Sequence, residues 1–246
     1  MTEIEIVSSG SQCNGYLLKS ADQILVLELG CKFMDYVEAL KEDFNTVVGC
    51  LVSHKHSDHL NRSTVCEFYR RGIETKVGDK VYSDLFKTYA GSVLSCIRDN
   101  TKARIGNFTV QTFEAPHNVE NYGFLIQTPT NERILFVTDT TGVNLRFRDI
   151  NAIMVECNND DDTLLDNLAN NDVSMSHPEY HLGLNDCAEF CKQNLSASTK
   201  QVILIHLSHT NVNEAHAIAT VKERCHFDNV AVAHKGDKFT IENDDF

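Results

Sequence analysis

The stretch Val47-Val48-Gly49-Cys50-Leu51-Val52-Ser53-His54-Lys55-His56-Ser57-Asp58-His59-Leu60 joins a short continuous apolar run to three imidazoles and a carboxylate packed into six residues. The apolar part has the length and β-branched content of a strand buried on both faces. Side chains that follow the end of such a strand can converge on a cation. Imidazole suits zinc, and a carboxylate in the same cluster allows a second ion beside the first. Even among eleven histidines, a chance His-x-His-x-Asp-His directly behind an apolar strand is improbable.

Outward from this stretch, Ile4 and Ile6, Tyr16-Leu17-Leu18 and Ile24-Leu25-Val26-Leu27 read as three strands of an opening meander, broken at Ser9-Gly10-Ser11 and Ala21-Asp22. Phe33, Tyr36, Val37, Leu40 and Phe44 recur at helical spacing, and helices are predicted over 62–71, 79–89 and 213–224. Strands are predicted near 107–113, 122–128, 133–137, 151–156 and 201–206, with more at the end of the chain. Strands precede helices in both halves, which suits an α/β fold of two sheets packed face to face with helices outside. No Pro- or Gly-rich linker divides the 246 residues, so a single domain over 1–246 is expected. The acidic run Asn158-Asn159-Asp160-Asp161-Asp162, with the polar residues after it, reads as a solvated loop, and a lid over the site (about 158–180) is the alternative.

The formal charge of −13 bears on partners. Polymeric nucleic acid is held by Lys and Arg against phosphates, and this chain has few to spare, so a small phosphorylated substrate is favoured. No signal-like start and no apolar run long enough to span a bilayer are seen, which leads us to expect a cytoplasmic protein without a membrane partner. Nine scattered cysteines are an odd number and read as free thiols. Cys187 and Cys191, four apart on an expected helix, have the spacing to share a metal, but a zinc ribbon needs two such pairs and core packing is the preferred reading.

The His-x-His-x-Asp-His run resembles the signature of the metallo-β-lactamase superfamily, and that resemblance implies an αββα sandwich and further ligands in fixed order. His117, Asp139 and His206 fit the order, each after an apolar run. By the family pattern His54, His56 and His117 hold one metal, Asp58, His59 and His206 the other, and Asp139 bridges them. His56 in the second position, rather than a carboxylate, departs from the di-iron electron-transfer branch and implies two Zn2+ per chain, with Mn2+ as the alternative. Two ions at such a site activate a bridging water at neutral pH, and Asp58 has a second implied role in orienting it.

Within the superfamily, Asn118-Val119-Glu120-Asn121-Tyr122 after His117 lacks the Gly-His-Thr context of the lactamase and glyoxalase branches. Met154-Val155-Glu156-Cys157-Asn158 resembles the Glu-bearing strand end of ribonuclease Z and YycJ-type exonucleases. His181, at the start of His181-Leu182-Gly183-Leu184-Asn185-Asp186, matches a histidine that protonates the departing oxygen in ribonuclease Z-like proteins, with Glu156 orienting it. Lys55 and Gly183 depart from those patterns, which leaves the fine substrate assignment open. The implied function is a two-metal phosphodiesterase. Size and charge favour 3′,5′-cyclic mononucleotides, as in the anti-Pycsar phage enzymes that remove a cyclic-nucleotide immune signal, and resemblance also implies a homodimer. A YycJ- or ribonuclease Z-like nuclease and a non-catalytic nucleotide-sequestering metalloprotein are the alternatives. His177, His209, His216, His226 and His234 have no motif support. They read as surface or hydrogen-bonded residues, with contact to substrate as the alternative for His177, four residues before His181 in sequence and beside the possible lid.

Overall fold

A computed structural model describes residues 1–41, 43–86, 94–169 and 178–242. The first half runs β1 (Thr2–Ser8), β2 (Gly15–Ser20), β3 (Gln23–Leu27), α1 (Phe33–Leu40), β4 (Val47–Leu51), α2 (Arg62–Arg70), β5 (Thr75–Gly78), α3 (Asp79–Phe86) and β6 (Leu94–Ile97). The second runs β7 (Lys102–Ile105), β8 (Phe108–Glu114), β9 (Tyr122–Gln127), β10 (Arg133–Val137), β11 (Ala152–Glu156), α4 (Asp161–Ala169), α5 (Leu184–Asn194), β12 (Gln201–Ile205), α6 (Glu214–Cys225), β13 (Val230–Val232) and β14 (Lys238–Ile241). These strands form two seven-stranded sheets, ordered β14-β1-β2-β3-β4-β5-β6 and β13-β12-β11-β10-β9-β8-β7.

Each sheet is antiparallel at one end and parallel at the other. β1 to β3 pair antiparallel and β3 to β6 parallel, while β7 to β10 pair antiparallel and β10 to β13 parallel. The parallel strands are apolar throughout because both of their faces are covered. Along β10 to β12, Ile134, Phe136, Ala152, Met154, Ile203 and Ile205 point to the other sheet and pack against Ile4, Tyr16, Leu18 and Leu27. The alternate residues Leu135, Val137, Ile153, Val155, Val202 and Leu204 point outward and are covered by α5 and α6. On the other flank Val26, Cys50 and Val52 meet Tyr36 and Leu40 of α1 and Phe68 of α2. The expected αββα sandwich is therefore what forms.

Three differences from the sequence reading have physical causes. α1 stops at Leu40, because Lys41 turns into the left-handed region (φ +52°), and a 3-10 turn comes next at Asp43–Thr46. Phe44 nonetheless packs on Phe33, with ring centroids 5.6 Å apart. The run read as a solvated loop is not one: Asn158, Asn159 and Asp160 are buried, and α4 begins at Asp161. Its carboxylates sit where a helix N-terminus favours negative charge. As for a lid over 158–180, residues 170–177, with His177, lie outside the described residues. β5, β6 and β7 have no counterpart in the sequence reading, since four residues are too few to display a period.

Candidate metal centre

Every candidate ligand leaves a strand at its carboxyl end on the same rim of the sandwich, the place where open α/β sheets build sites. His54, His56, Asp58 and His59 follow β4, His117 follows β8, Asp139 follows β10 and His206 follows β12. Asp139 and His206 both adopt left-handed backbone conformations, at φ +48° and +53°. Such φ values cost non-glycine residues roughly 1–3 kcal/mol and persist where the surroundings impose them. Here they turn the chain sharply as it leaves the strand.

The side chains converge as two donor groups that share Asp139: His54, His56 and His117 in one, Asp58, His59 and His206 in the other. In the first, His54 Nε2 lies 3.1 Å from His56 Nδ1, and His117 Nε2 lies 3.3 Å from the same atom. Asp139 Oδ2 faces this group, 3.7 Å from His54 Nε2 and 3.9 Å from His117 Nε2. Its other oxygen faces the second group, with Oδ1 at 3.1 Å from His59 Nε2 and 3.6 Å from His206 Nε2. Asp58 Oδ2 completes that group at 3.2 and 3.3 Å from the same two nitrogens. Ligands about 2.0–2.1 Å from a tetrahedral ion are about 3.3–3.4 Å apart, so the donor spacings match the edges of coordination polyhedra. One carboxylate with an oxygen turned to each group is suited to bridge two ions.

Electrostatics agree. Burial holds the His54, His56 and His117 imidazoles well towards their neutral, ligating form. Burial acts the same way on His59 and His206, but Asp139 and Asp58 outweigh it and raise both. The second group is thus held together by opposite charges.

The outer nitrogens and oxygens are tied down. His54 Nδ1 meets Ser53 Oγ at 2.9 Å, and His117 Nδ1 donates to the Tyr180 carbonyl at 2.9 Å. Glu156 has the widest reach. Its Oε1 accepts from His206 Nδ1 at 3.0 Å and from His181 Nδ1 at 2.6 Å, while Oε2 accepts from the Thr140 and Leu182 amides at 2.9 and 3.0 Å. His181 is not on the helix itself but three residues before α5, its ring stacked on His206 at 5.3 Å. Asp139, Glu156, His181 and His206 also form a third cluster of potential donors.

Residues 33–207 match the family described as the beta-lactamase superfamily domain. The chain belongs to this superfamily. With its two donor groups it is a metal-dependent hydrolase of that kind. Among curated proteins no sequence matches. Among solved structures the chain resembles the metallo-beta-lactamase fold protein YhfI from Bacillus subtilis, at 14% identity over 98% of this chain and 100% of that one, with a TM-score of 0.74. Zn(2+)-bound PqqB from Methylobacterium extorquens is similar at 13% identity, 97% and 100% coverage and a TM-score of 0.74. Human tRNase Z, short form, is similar at 13% identity, 98% and 99% coverage and a TM-score of 0.65.

The candidate ligands also meet buried side chains that carry no motif in the sequence. Glu28, fully buried with φ +62°, places Oε2 3.4 Å from His59 Nδ1 and receives the Ser53 amide. A lone carboxylate directly after the apolar Ile24–Leu27 run was the available signal. Asn14 brings Nδ2 to 3.0 Å from His59 Nε2, and Asn121 clamps the carbonyls of Ala115, Thr138 and Asp139. Asn158 donates to the His206 carbonyl at 3.0 Å. Cys187 and Cys191 join Cys157 in the core under α5, and none of the potential metal clusters among the described residues includes a cysteine. His234 pairs with Glu214 at 3.3 Å, and His209, His216 and His226 likewise belong to none of those clusters.

Proposed function

We propose that the chain is a two-metal phosphodiesterase that opens 3′,5′-cyclic mononucleotides to nucleoside monophosphates, with two zinc ions per chain and manganese as the substitute. The observation that carries this reading is the hold of Glu156 on His206 and His181 through one oxygen. With Nδ1 of His181 engaged, its Nε2 is the nitrogen left to serve the cavity that His181 lines with His56, Asp58 and His117. A ribose alkoxide is a poor leaving group and needs a proton at the departing oxygen. A general acid fixed beside the donor groups meets that need and contributes about 10²–10⁴-fold.

Ions held by His54, His56, His117, Asp58, His59, His206 and the shared Asp139 would supply Lewis-acid polarisation of the phosphoryl group and a water with its pKa lowered to about 7. Asp58 orients the attacking water, His181 delivers its Nε2 proton to the leaving oxygen, and Glu156 steadies the resulting imidazole. The cavity measures about 360 Å³, at the small end of the range for small-molecule sites. A net charge of −13 argues in the same direction, against a long polyanion.

The second reading, a nuclease acting on RNA or DNA, is favoured by the likeness to human tRNase Z. Incubation of the protein with cyclic mononucleotides, cyclic dinucleotides, single-stranded DNA and pre-transfer RNA, each with zinc or manganese, separates the two. Ring opening of a cyclic mononucleotide is expected, with shallow salt dependence. Cleavage of a polymer without ring opening overturns the proposal in favour of the nuclease, and binding without product leaves a nucleotide-sequestering protein. His181→Ala is expected to lose most activity on cyclic nucleotides and keep most on bis(p-nitrophenyl) phosphate, whose leaving group needs no proton. We also propose a homodimer, on family resemblance, and a monomeric mass by light scattering with full activity would overturn that part.

A further inference from the structure

The cysteines are all free, and one pair stands apart from the others. Cys187 meets both Cys157 and Cys191, but all three are fully buried and closed to solutes. Cys13 is only half-buried, and its thiol contacts that of the buried Cys31. This contact draws the Cys13 thiol down to about 6, while it and burial push Cys31 up. A partly exposed thiol of low pKa beside a second thiol is the arrangement in which oxidation is selective.

Backbone geometry favours a bond between them. β2 and β3 are antiparallel, and beyond their last paired residues the Gly30 amide donates to the Asn14 carbonyl at 3.0 Å. Cys31 follows Gly30 and Cys13 precedes Asn14, and Cys31 Sγ lies 3.1 Å from where a Cβ on Gly15, two residues along from Cys13, would sit. A disulfide bridges Cα atoms about 4.4–6.8 Å apart, a span that the 3.0 Å hydrogen bond between their chain neighbours Gly30 and Asn14 brings within reach.

Both cysteines also adjoin residues pressed against the metal-ligand loop. The Asn14 amide donates to the Asp58 carbonyl at 2.7 Å, and its side chain reaches Asp58 Oδ2 at 3.4 Å and His59 Nε2 at 3.0 Å. At Gly30 a Cβ would lie 1.6 Å from the Asp58 carbonyl oxygen, so the loop rests on the bare backbone there.

We propose that Cys13 and Cys31 form a redox modification site, oxidised by a hydroperoxide to a reversible disulfide that loosens the Asp58–His59 ligand loop through Asn14 and Gly30. The Cys13 thiolate attacks one peroxide oxygen, breaking the O–O bond and giving a sulfenic acid and, with a proton, water. Cys31 sulfur then displaces the sulfenic oxygen, which leaves as a second water with the thiol proton. Two thiols and one hydrogen peroxide become one disulfide and two waters, the sulfurs oxidised and the peroxide reduced. The effect on the ligand loop rests on the metal-centre reading, whereas the crosslink does not.

The test treats the whole protein with stoichiometric hydrogen peroxide and maps peptides under non-reducing conditions. A Cys13–Cys31 crosslink is expected, reversed by dithiothreitol and absent from Cys13→Ser and Cys31→Ser. Zinc affinity, read by competition with a chromophoric chelator, is expected to fall about 10–100-fold in the oxidised wild type, the range for loss of a partner behind a ligand. It should not respond to peroxide in Cys13→Ser, which serves as the control should the buried Cys31→Ser fail to fold. No crosslink, or a crosslink between other cysteines, overturns the site. A crosslink that leaves zinc affinity unchanged overturns the coupling. Absence of zinc binding in the reduced wild type would fault the metal-centre reading and leave the crosslink result intact.

Discussion

Glu156→Gln changes one buried oxygen to an amide nitrogen, and the hydrogen bonds around it set the cost. The carboxylate is fully buried and receives four donors: His206 Nδ1 and His181 Nδ1 on Oε1, the Thr140 and Leu182 amides on Oε2. A carboxylate is acceptor-only and satisfies all four. Glutamine retains one oxygen, so whichever way its amide is turned, its NH2 group faces two donors. Two unpaired buried donors cost about 1–3 kcal/mol each, so roughly 2–6 kcal/mol of stability is lost, from a total of about 5–15 kcal/mol. If the amide nitrogen faces the histidines, His206 can accept only by shifting its proton to Nε2, the nitrogen it turns to Asp58 and Asp139. Urea denaturation of the metal-free protein reads the stability change, and paired rates on a cyclic nucleotide and bis(p-nitrophenyl) phosphate read the loss of the oriented proton donor. A variant within about 0.5 kcal/mol of wild type that keeps its activity on cyclic nucleotides would refute the reasoning.

Three further outcomes are expected. Metal analysis after anaerobic reconstitution should return about two divalent ions per chain, because seven donors exceed one tetrahedral site. A single ion in the wild type would contradict the bridging role of Asp139. Gly30→Ala, forced against the Asp58 carbonyl, should cost about 1–3 kcal/mol or more by overpacking and reduce metal retention; an alanine variant with wild-type stability would show that the loop yields. Burial raises the Glu132 carboxyl, but the hydroxyls of Thr128, Thr130 and Thr2 and the terminal amine bring it down to about 2. A lowered carboxylate pKa stabilises above the unfolded value of about 4.3 and loses that stabilisation as pH falls towards 2, so roughly 1–2 kcal/mol should disappear across this interval in wild type and much less in Glu132→Gln. Urea titrations at pH 6 and pH 3 check the difference.

What the amino-acid order determined by itself was whatever is written locally. The apolar strand β4 and the His54–His59 run behind it are contiguous, so strand, site and donor chemistry are read together, whereas His117, Asp139 and His206, though each follows an apolar run, are picked out by the ligand order that the family resemblance implies. β10, β11 and β12 are legible for the same reason, since burial on both faces leaves unbroken apolar stretches. Local order failed where structure is short or borrowed. β5 to β7 have too few residues for a period, and the acidic start of α4 looks like a loop until Asp160 is seen buried beneath Asn211 and Thr163. Only the tertiary structure decided the arrangement behind the ligands. Glu28, Asn14 and Asn121 carry no motif, and their roles exist because two sheets bring strand ends far apart in sequence to one rim, where each buried polar atom must find a partner. That convergence also seats Glu156 between His181 and His206; the family resemblance implies the first contact, and the second exists only in three dimensions.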